Sequence, residues 1–248
     1  MDKQALPVAS DCLGEPVVLA EAMAHKESSI PTADYTFERA LMAAGHARVA
    51  GVDEAGRGPL AGPVVAAAVV LDPKAIPNGI ADSKVLIAAE RERIFDALCA
   101  CADISFAFAS VTAIDRVNIL QASLSAMRRA VLGLAQPADA VLIDGKQVPA
   151  AMPCTTQSVV DGDARSLSIA AASIVAKVMR DRLMQRCDSA FAGYGLSSHK
   201  GYATQAHQAA LRELGPCRLH RRSFGTVAAL LGADQGELFA EESPAAAI

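Results

Sequence analysis

The chain has few aromatic residues and no long apolar run. Tryptophan is absent from its 248 residues, and aromatic residues make up 4% although hydrophobic residues reach 52%. The core must therefore be built from Ala, Val, Leu and Ile. No apolar run approaches the roughly 20 residues of a membrane helix, and the acidic N-terminal region lacks the apolar stretch of a signal peptide, so we expect no membrane contact.

Paired cysteine motifs and an excess of positive charge are also missing. The six cysteines show no C-x-x-C spacing, which argues against a zinc or disulfide scaffold and is typical of a reduced, cytoplasmic protein. The net charge of −4 by itself argues against nucleic-acid binding. One segment with few acids nevertheless concentrates basic residues, as either a solvated helical surface or a face that follows phosphates. These residues are Lys177, Arg180, Arg182, Arg186, Lys200, Arg212, Arg218, Arg221 and Arg222.

The length and the apolar periodicity predict one α/β domain with two tails. We interpret residues 1–34 as a flexible extension, residues 35–231 as the folded domain and residues 232–248 as an acidic flexible tail. A short link between the first two strands predicts an antiparallel hairpin, and alternating strands and helices follow. Strands are predicted at 48–53, 63–71, 104–111, 140–144 and 157–160, and helices at 35–44, 114–134, 166–190, 203–214 and 224–231.

Two adjacent acids, Asp53 and Glu54, end an apolar run and precede Gly56-Arg57-Gly58. Adjacent carboxylates can hold a hard divalent cation, and bare backbone beside a guanidinium can approach a phosphate or a sugar. Side chains alternate along a strand, so both acids reach one site only if the strand ends or bulges there. The simpler alternative is an acidic strand end that runs into a glycine turn.

Two further acids, Asp144 and Asp163, also follow strand-like runs or their turns. Acids at the carboxyl ends of strands converge on the crevice where open α/β sheets bind ligands. Four crowded carboxylates would repel one another unless a cation lies between them. The pattern therefore predicts a dication site, in which two metal ions would activate a water and stabilise the leaving oxygen of a phosphodiester.

Eight sequence blocks, spread in order over roughly residues 47–231, make the chain resemble the ribonuclease HII family, the bacterial type 2 ribonucleases H. They are Val52 to Leu60, Asp82-Ser83-Lys84, Asn118-Ile119-Leu120, Leu142 to Gly145, Gly162-Asp163-Ala164, Ala171 to Lys177, His199 to Tyr202 and Arg221 to Phe224.

The resemblance implies a ribonuclease H-like fold, with a five-stranded mixed sheet flanked by helices and a C-terminal helical part. It implies that Mg²⁺ or Mn²⁺ is bound by Asp53, Glu54, Asp144 and Asp163. The implied reaction is hydrolysis on the 5′ side of a ribonucleotide in duplex DNA, or of RNA in RNA–DNA hybrids, which leaves 3′-OH and 5′-phosphate ends. We expect a monomer.

The resemblance also implies which residues contact the substrate. Gly56, Arg57 and Gly58 would recognise the 2′-hydroxyl, and Tyr202 would pack on the following deoxyribose. Lys84 and Lys200 would contact phosphates, and we interpret His199 as shaping its loop. Three positions depart from the family pattern: Val85 and Asp161 where lysine is common, and Ala203 where proline is frequent. The first two reduce local positive charge and so bear on substrate affinity and its salt dependence.

Two other functions stay open on fold grounds alone, a Holliday-junction resolvase or type 1 ribonuclease H, and a hybrid-binding module without catalysis. The glycine–arginine loop, Tyr202 and the four acids favour the type 2 enzyme. A separate pattern, Gln235 with Leu238 and Phe239, resembles the short peptides that dock into the bacterial sliding clamp. The alternative there is an ordinary tail.

Overall fold

A five-stranded mixed sheet forms the centre of the structure, a computed structural model that describes Met1 and residues 33–240, with side chains through residue 232. The strand order is β3-β2-β1-β4-β5. The pairs β1–β2 and β2–β3 are antiparallel, and the pairs β1–β4 and β4–β5 are parallel. The predicted hairpin is therefore confirmed. The strands are β1 (Val49–Ala55), β2 (Val64–Val70), β3 (Asp103–Ala109), β4 (Ala140–Asp144) and β5 (Thr155–Val159).

Helices cover both faces of this sheet and form a C-terminal extension. A one-turn 3₁₀ helix, Gly162–Ala164, leads into the longest helix. The helices are α1 (Thr36–Ala43), α2 (Ala88–Cys101), α3 (Val111–Val117), α4 (Ile119–Leu132), α5 (Leu167–Ala190), α6 (Leu196–His199), α7 (Gln205–Leu214) and α8 (Gly225–Ala240). Among the described residues, none of these helices is long and apolar enough to cross a membrane.

The structure differs from the predicted helices in a break, in added helices and in one boundary. The helix predicted over 114–134 is broken into α3 and α4 at Asn118, which has φ +69° and caps α4 by accepting a hydrogen bond from the Gln121 amide at 3.0 Å. Helix α2 was not predicted, because its sequence is mostly charged and small. The last helix continues to Ala240, so the predicted boundary at residue 231 falls inside it.

Each face of the sheet has its own apolar core, and small residues let the helices lie close. On one face, Ala122, Ala126 and Ala130 of α4 pack against Val52 and Ile143. The other face buries the alanine-rich side of α5 together with α2. A third cluster joins the end of α5 to α6, α7 and α8. The parallel strands β1 and β4 end side by side, so their carboxyl ends form one edge of the sheet.

The closest approach is between β1 and α5. A Cβ atom added to Gly51 would lie 2.0 Å from the backbone carbon of Ser168, a distance that real atoms do not tolerate. Only glycine therefore fits at this position of β1. The beginning of α5 is fixed in addition by Glu38, whose Oε1 accepts hydrogen bonds from the Ser166 hydroxyl at 2.6 Å and the Ser168 amide at 2.9 Å.

We expect Gly51→Ala to destabilise the protein by about 3 kcal/mol or more, because the added methyl group must push α5 off the sheet. Urea unfolding measures the change. Gly232→Ala is the matched control, since a Cβ there meets no atom within 4 Å and alanine favours the helix. Equal stability of the two variants would contradict the requirement for glycine at position 51.

Candidate active site

The two adjacent acids lie where β1 loses its partner β4. Pairing with β4 stops at Val52 opposite Ile143, whereas pairing with β2 continues in regular register to Ala55 opposite Val65. The expectation that the strand ends or bulges at the acids is therefore wrong for the β2 side. The strand runs on, and β4 is the strand that stops, so Asp53 and Glu54 lie beyond the last pair between β1 and β4.

The four predicted acids come together at this edge. Gly51 faces α5, and Asp53, two residues on, shares its face. Glu54 points to the opposite face and lines a cavity of about 270 Å³ with Asp144 and residues of α4. Asp144 ends β4, and Asp163 lies on the 3₁₀ turn before α5. The Gly162 amide donates to Asp144 Oδ1 at 2.7 Å, which ties the last two acids together.

Burial and mutual repulsion disfavour the charged forms of Asp53, Glu54 and Asp144. Burial, followed by the charges of Glu54 and Asp144, raises the pKa of Asp53 well above its ordinary value. Burial also raises the pKa of Glu54, against the opposing charge of Arg57. The pKa of Asp144 is raised by burial, partly offset by the Gly162 amide. Such a cluster is costly to a fold and suits a cation site.

Two cations neutralise part of this charge. Lys84 Nζ lies 2.6 Å from Asp163 Oδ2, and Arg57 Nη1 lies 3.3 Å from Glu54 Oε1. Partial burial of Lys84 opposes its charge, but the bond to Asp163 raises its pKa. The side chains of Lys84 and Arg57 are 76% and 50% exposed.

The carboxylate oxygens fit a hard cation by their chemistry, since Mg²⁺ and Mn²⁺ prefer such donors. As placed, no three of the Asp, Glu, His and Cys side chains within residues 33–232 are arranged around a common point for an ion. The reason is that their oxygens turn to separate partners: Lys84, Arg57, the Gly162 amide and the Glu54 amide. The assignment of the four acids as ligands therefore stays a prediction.

The Gly56–Gly58 loop follows β1 and is held by a buried arginine. Arg221 donates to the carbonyls of Gly56, Arg57 and Gly62 at 2.5, 2.7 and 2.9 Å. Gly56 has φ +97°, which favours glycine. Gly58 faces the Tyr202 ring, because a Cβ on Gly58 would lie 3.9 Å from that ring. The structure thus brings the loop, the acids and Tyr202 to one edge.

The Tyr202 loop is fixed by histidines. The Gly201 amide donates to His199 Nδ1 at 3.2 Å, which agrees with the loop-shaping interpretation of His199. The Cys217 amide donates to His220 Nδ1 at 3.0 Å, so the proton of neutral His220 is on Nε2 and points to His207 Nε2 at 3.1 Å. The proton of His207 is then on Nδ1 and is donated to the Tyr202 carbonyl at 2.9 Å.

The basic segment is not a single phosphate-binding face. Arg180 and Arg221 are 1% and 0% exposed, so the interpretation of Arg221 as a phosphate contact or a surface residue is wrong. Lys177 is paired with Asp181, and Arg182 with Glu92. Sequence reasoning missed the buried roles of both arginines. The signal for Arg180 was its spacing of four residues from Ala176, which places it on the buried face of α5.

A mixed five-stranded sheet of order β3-β2-β1-β4-β5, flanked by helices and with acids at the carboxyl ends of its strands, is typical of ribonuclease H-like proteins. Sequence and structure comparisons specify the family. The Ribonuclease HII profile matches residues 50–227. Ribonuclease HII of Rhizobium meliloti (strain 1021) is 57% identical over 194 residues, which cover 78% of this chain and 90% of the relative.

Solved structures agree with this assignment. The ribonuclease H2 from Pyrococcus horikoshii OT3 is similar with a TM-score of 0.64 and 26% identity, covering 76% of this chain and 99% of that chain. Bst-RNase HIII in complex with Mn²⁺ shares the fold, with a TM-score of 0.60 at 18% identity, covering 77% of this chain and 71% of that chain. The chain belongs to the ribonuclease HII family and is a metal-dependent ribonuclease H.

The hydrogen-bonded pair His207 and His220 makes the free energy of unfolding depend on pH. Burial, and then His207, lower the pKa of His220 to about 4, whereas an unfolded histidine titrates near 6.5. Neutral His220 therefore makes its full contribution to the free energy of unfolding above about pH 6.5. As the pH falls toward 4, the free energy of unfolding decreases by on the order of 3 kcal/mol. We expect His220→Gln to flatten unfolding stability against pH between 6.5 and 4. His46→Gln, outside the cluster, is the control, and an unchanged slope in His220→Gln contradicts the assignment.

Proposed function

We propose that the protein hydrolyses the phosphodiester on the 5′ side of a ribonucleotide embedded in duplex DNA, and also cleaves the RNA of RNA–DNA hybrids, leaving 3′-OH and 5′-phosphate ends. The observation that supports this best is the position of Gly58 against the Tyr202 ring, in a loop whose Arg57 pairs with Glu54. This arrangement supports a role of the loop and the ring in sugar recognition, near a cluster suited to phosphodiester chemistry. We propose that it works as a cytoplasmic monomer that removes ribonucleotides from DNA.

Asp53, Glu54, Asp144 and Asp163 would hold Mg²⁺ or Mn²⁺. When bound, the metal supplies a lower pKa for water and charge stabilisation for the leaving oxygen. The protein's own contribution is a buried set of oxygens whose mutual repulsion keeps them receptive to cations. Lys84 and Arg57 supply the counter-charge at Asp163 and Glu54, and their exposed side chains can turn outward to a phosphate.

Recognition would divide between backbone and an aromatic plane. The loop of Gly56, Arg57 and Gly58 offers closely approachable backbone for the 2′-hydroxyl, the group that distinguishes RNA from DNA. Tyr202, 46% exposed, presents its ring to the neighbouring deoxyribose. Lys200, at the start of the same loop, would contact a phosphate. A substrate with a ribose followed by a deoxyribose would contact the loop and the Tyr202 ring at the same time.

The deciding experiment is cleavage of a DNA duplex that contains one ribonucleotide, with Mg²⁺, Mn²⁺ or chelator. A metal-dependent cut on the 5′ side of the ribonucleotide, and none in the all-DNA duplex, is the expected result. Cleavage restricted to long hybrids would move the activity to that of a type 1 enzyme. Binding without cleavage under every metal condition would indicate a binding module.

We expect Asp53→Asn to reduce cleavage to background and to raise stability in metal-free buffer by about 1 kcal/mol, or about 2–4 °C, because one charge leaves the cluster. Asn keeps the oxygen that accepts from the Glu54 amide at 2.6 Å. Thermal unfolding and cleavage rates measure both effects. Asp96→Asn, at a side chain that is 74% exposed, is the control. Normal turnover by Asp53→Asn contradicts the ligand assignment.

We also propose that Gln235, Leu238 and Phe239 dock into the hydrophobic pocket of the sliding clamp. The proposal rests on the spacing of the motif, whose side chains lie outside the described part of the structure. A pull-down with purified clamp should succeed with the full chain and fail with the double variant Leu238→Ala, Phe239→Ala. Failure of the full chain to bind would end the proposal.

A further inference from the structure

Arg180 of α5 is a buried cation whose hydrogen bonds all go to backbone carbonyls. It is 1% exposed. Its Nε donates to the Pro63 carbonyl at 3.2 Å, and its Nη2 donates to the carbonyls of Ala61 at 3.2 Å and Lys200 at 3.0 Å. A buried charge is costly unless it is well bonded, so this guanidinium fixes the three carbonyls in the geometry of its planar fork.

These carbonyls belong to two different loops. Ala61 and Pro63 continue the segment that starts at Gly56, and Lys200 precedes Tyr202. The guanidinium also touches both loops directly. A Cβ on Gly56 would lie 2.0 Å from Arg180 Nε, and the Tyr202 ring centroid lies 5.9 Å from Arg180 Cζ. Arg180 therefore connects the two loops through hydrogen bonds.

The second buried arginine has a narrower reach. The side chain of Arg221 bonds to the carbonyls of Gly56, Arg57 and Gly62, all in the first loop. The loops also meet through one backbone bond, from the Leu60 amide to the Gly201 carbonyl at 2.8 Å. Among the described side-chain hydrogen bonds of these two arginines, only those of Arg180 reach both loops. Arg180 and this backbone contact, at which a Cβ on Gly201 would lie 2.5 Å from the Ala61 carbonyl oxygen, together set the spacing between the two loops.

We propose that Arg180 is a positioning residue that sets the distance between the Gly56–Gly58 loop and Tyr202, and thereby determines selectivity for a single ribonucleotide over a continuous hybrid. This inference rests on the proposed function. A lone ribonucleotide provides one 2′-hydroxyl next to one deoxyribose, so the loop and the Tyr202 ring must contact the substrate at a single position along the duplex. A continuous hybrid offers many registers and many 2′-hydroxyls, and so tolerates a displaced loop. Misplacement by about 1 Å can cost on the order of 100-fold in rate.

The test compares Arg180→Lys with Arg182→Lys on two substrates. Lysine keeps the charge of Arg180 but cannot bridge three carbonyls, whereas Arg182 lies on the same helix, is 42% exposed and pairs with Glu92. We expect Arg180→Lys to lose at least 10-fold more kcat/KM on the single-ribonucleotide duplex than on a continuous hybrid, mainly in kcat, with Arg182→Lys unchanged. Equal losses on both substrates, or no loss, would overturn the proposal.

A double-mutant cycle tests whether Arg180 acts through Tyr202. If it does, Arg180→Lys added to Tyr202→Ala causes little further loss on the single-ribonucleotide duplex, because the ring it positions is already gone. Multiplicative losses would show that the two residues act independently and would overturn the assignment.

A spectroscopic readout keeps the inference testable if activity is lost for other reasons. The chain contains no tryptophan, so Tyr202→Trp introduces a single reporter into the loop. We expect Arg180→Lys in this background to change the emission maximum and increase acrylamide quenching at a temperature where circular dichroism shows the folded protein. Unchanged emission and quenching would refute this connection between the loops. If the unsubstituted protein does not cut at a single ribonucleotide, the proposed function fails, and the fluorescence result still judges the loop geometry.

Discussion

The close approach of α5 to β1 is the constraint on which the site depends. Because Gly51 lets the two backbones touch, every inward side chain of α5 has a fixed height above the sheet. Ser173 bonds to Ser83 at 2.6 Å and so anchors the turn that carries Lys84. Further along the helix, Arg180 bonds to the carbonyls of Pro63 and Lys200, and Met184 packs into the C-terminal cluster. One helix thus sets the relative positions of acids, cations and loops.

The second organising feature is a charge imbalance that the fold tolerates locally. Three carboxyl groups have raised pKa values at an edge where β4 no longer covers β1. Burial disfavours the charged state of such groups, whereas full exposure would screen their repulsion. At this edge Asp53 is buried, and Glu54 and Asp144 are partly exposed. Lys84 and Arg57 neutralise part of the charge.

The sequence allowed the sheet and the acids to be predicted because both depend on local pattern. Apolar runs gave the strands, and the small face of α5 gave its packing. The break at Asn118 escaped periodicity, since apolar spacing continues across it and only backbone conformation interrupts the helix. Helix α2 was missed because it buries only Ile94, Phe95 and Leu98. The buried arginines were misread because charge normally indicates surface, and their carbonyl partners are invisible in a sequence.

The choice of carbonyls as the partners of Arg180 and Arg221 has a consequence for variation among related proteins. Every residue has a carbonyl, so the anchoring of the Gly56–Pro63 segment does not depend on which side chains it carries, apart from the glycines that make room for the guanidinium and for Met184. Exposed positions of this segment can therefore change chemistry while the main chain keeps its path. The main-chain path of this segment is therefore independent of its exposed side chains, and those side chains are free to change by evolutionary drift.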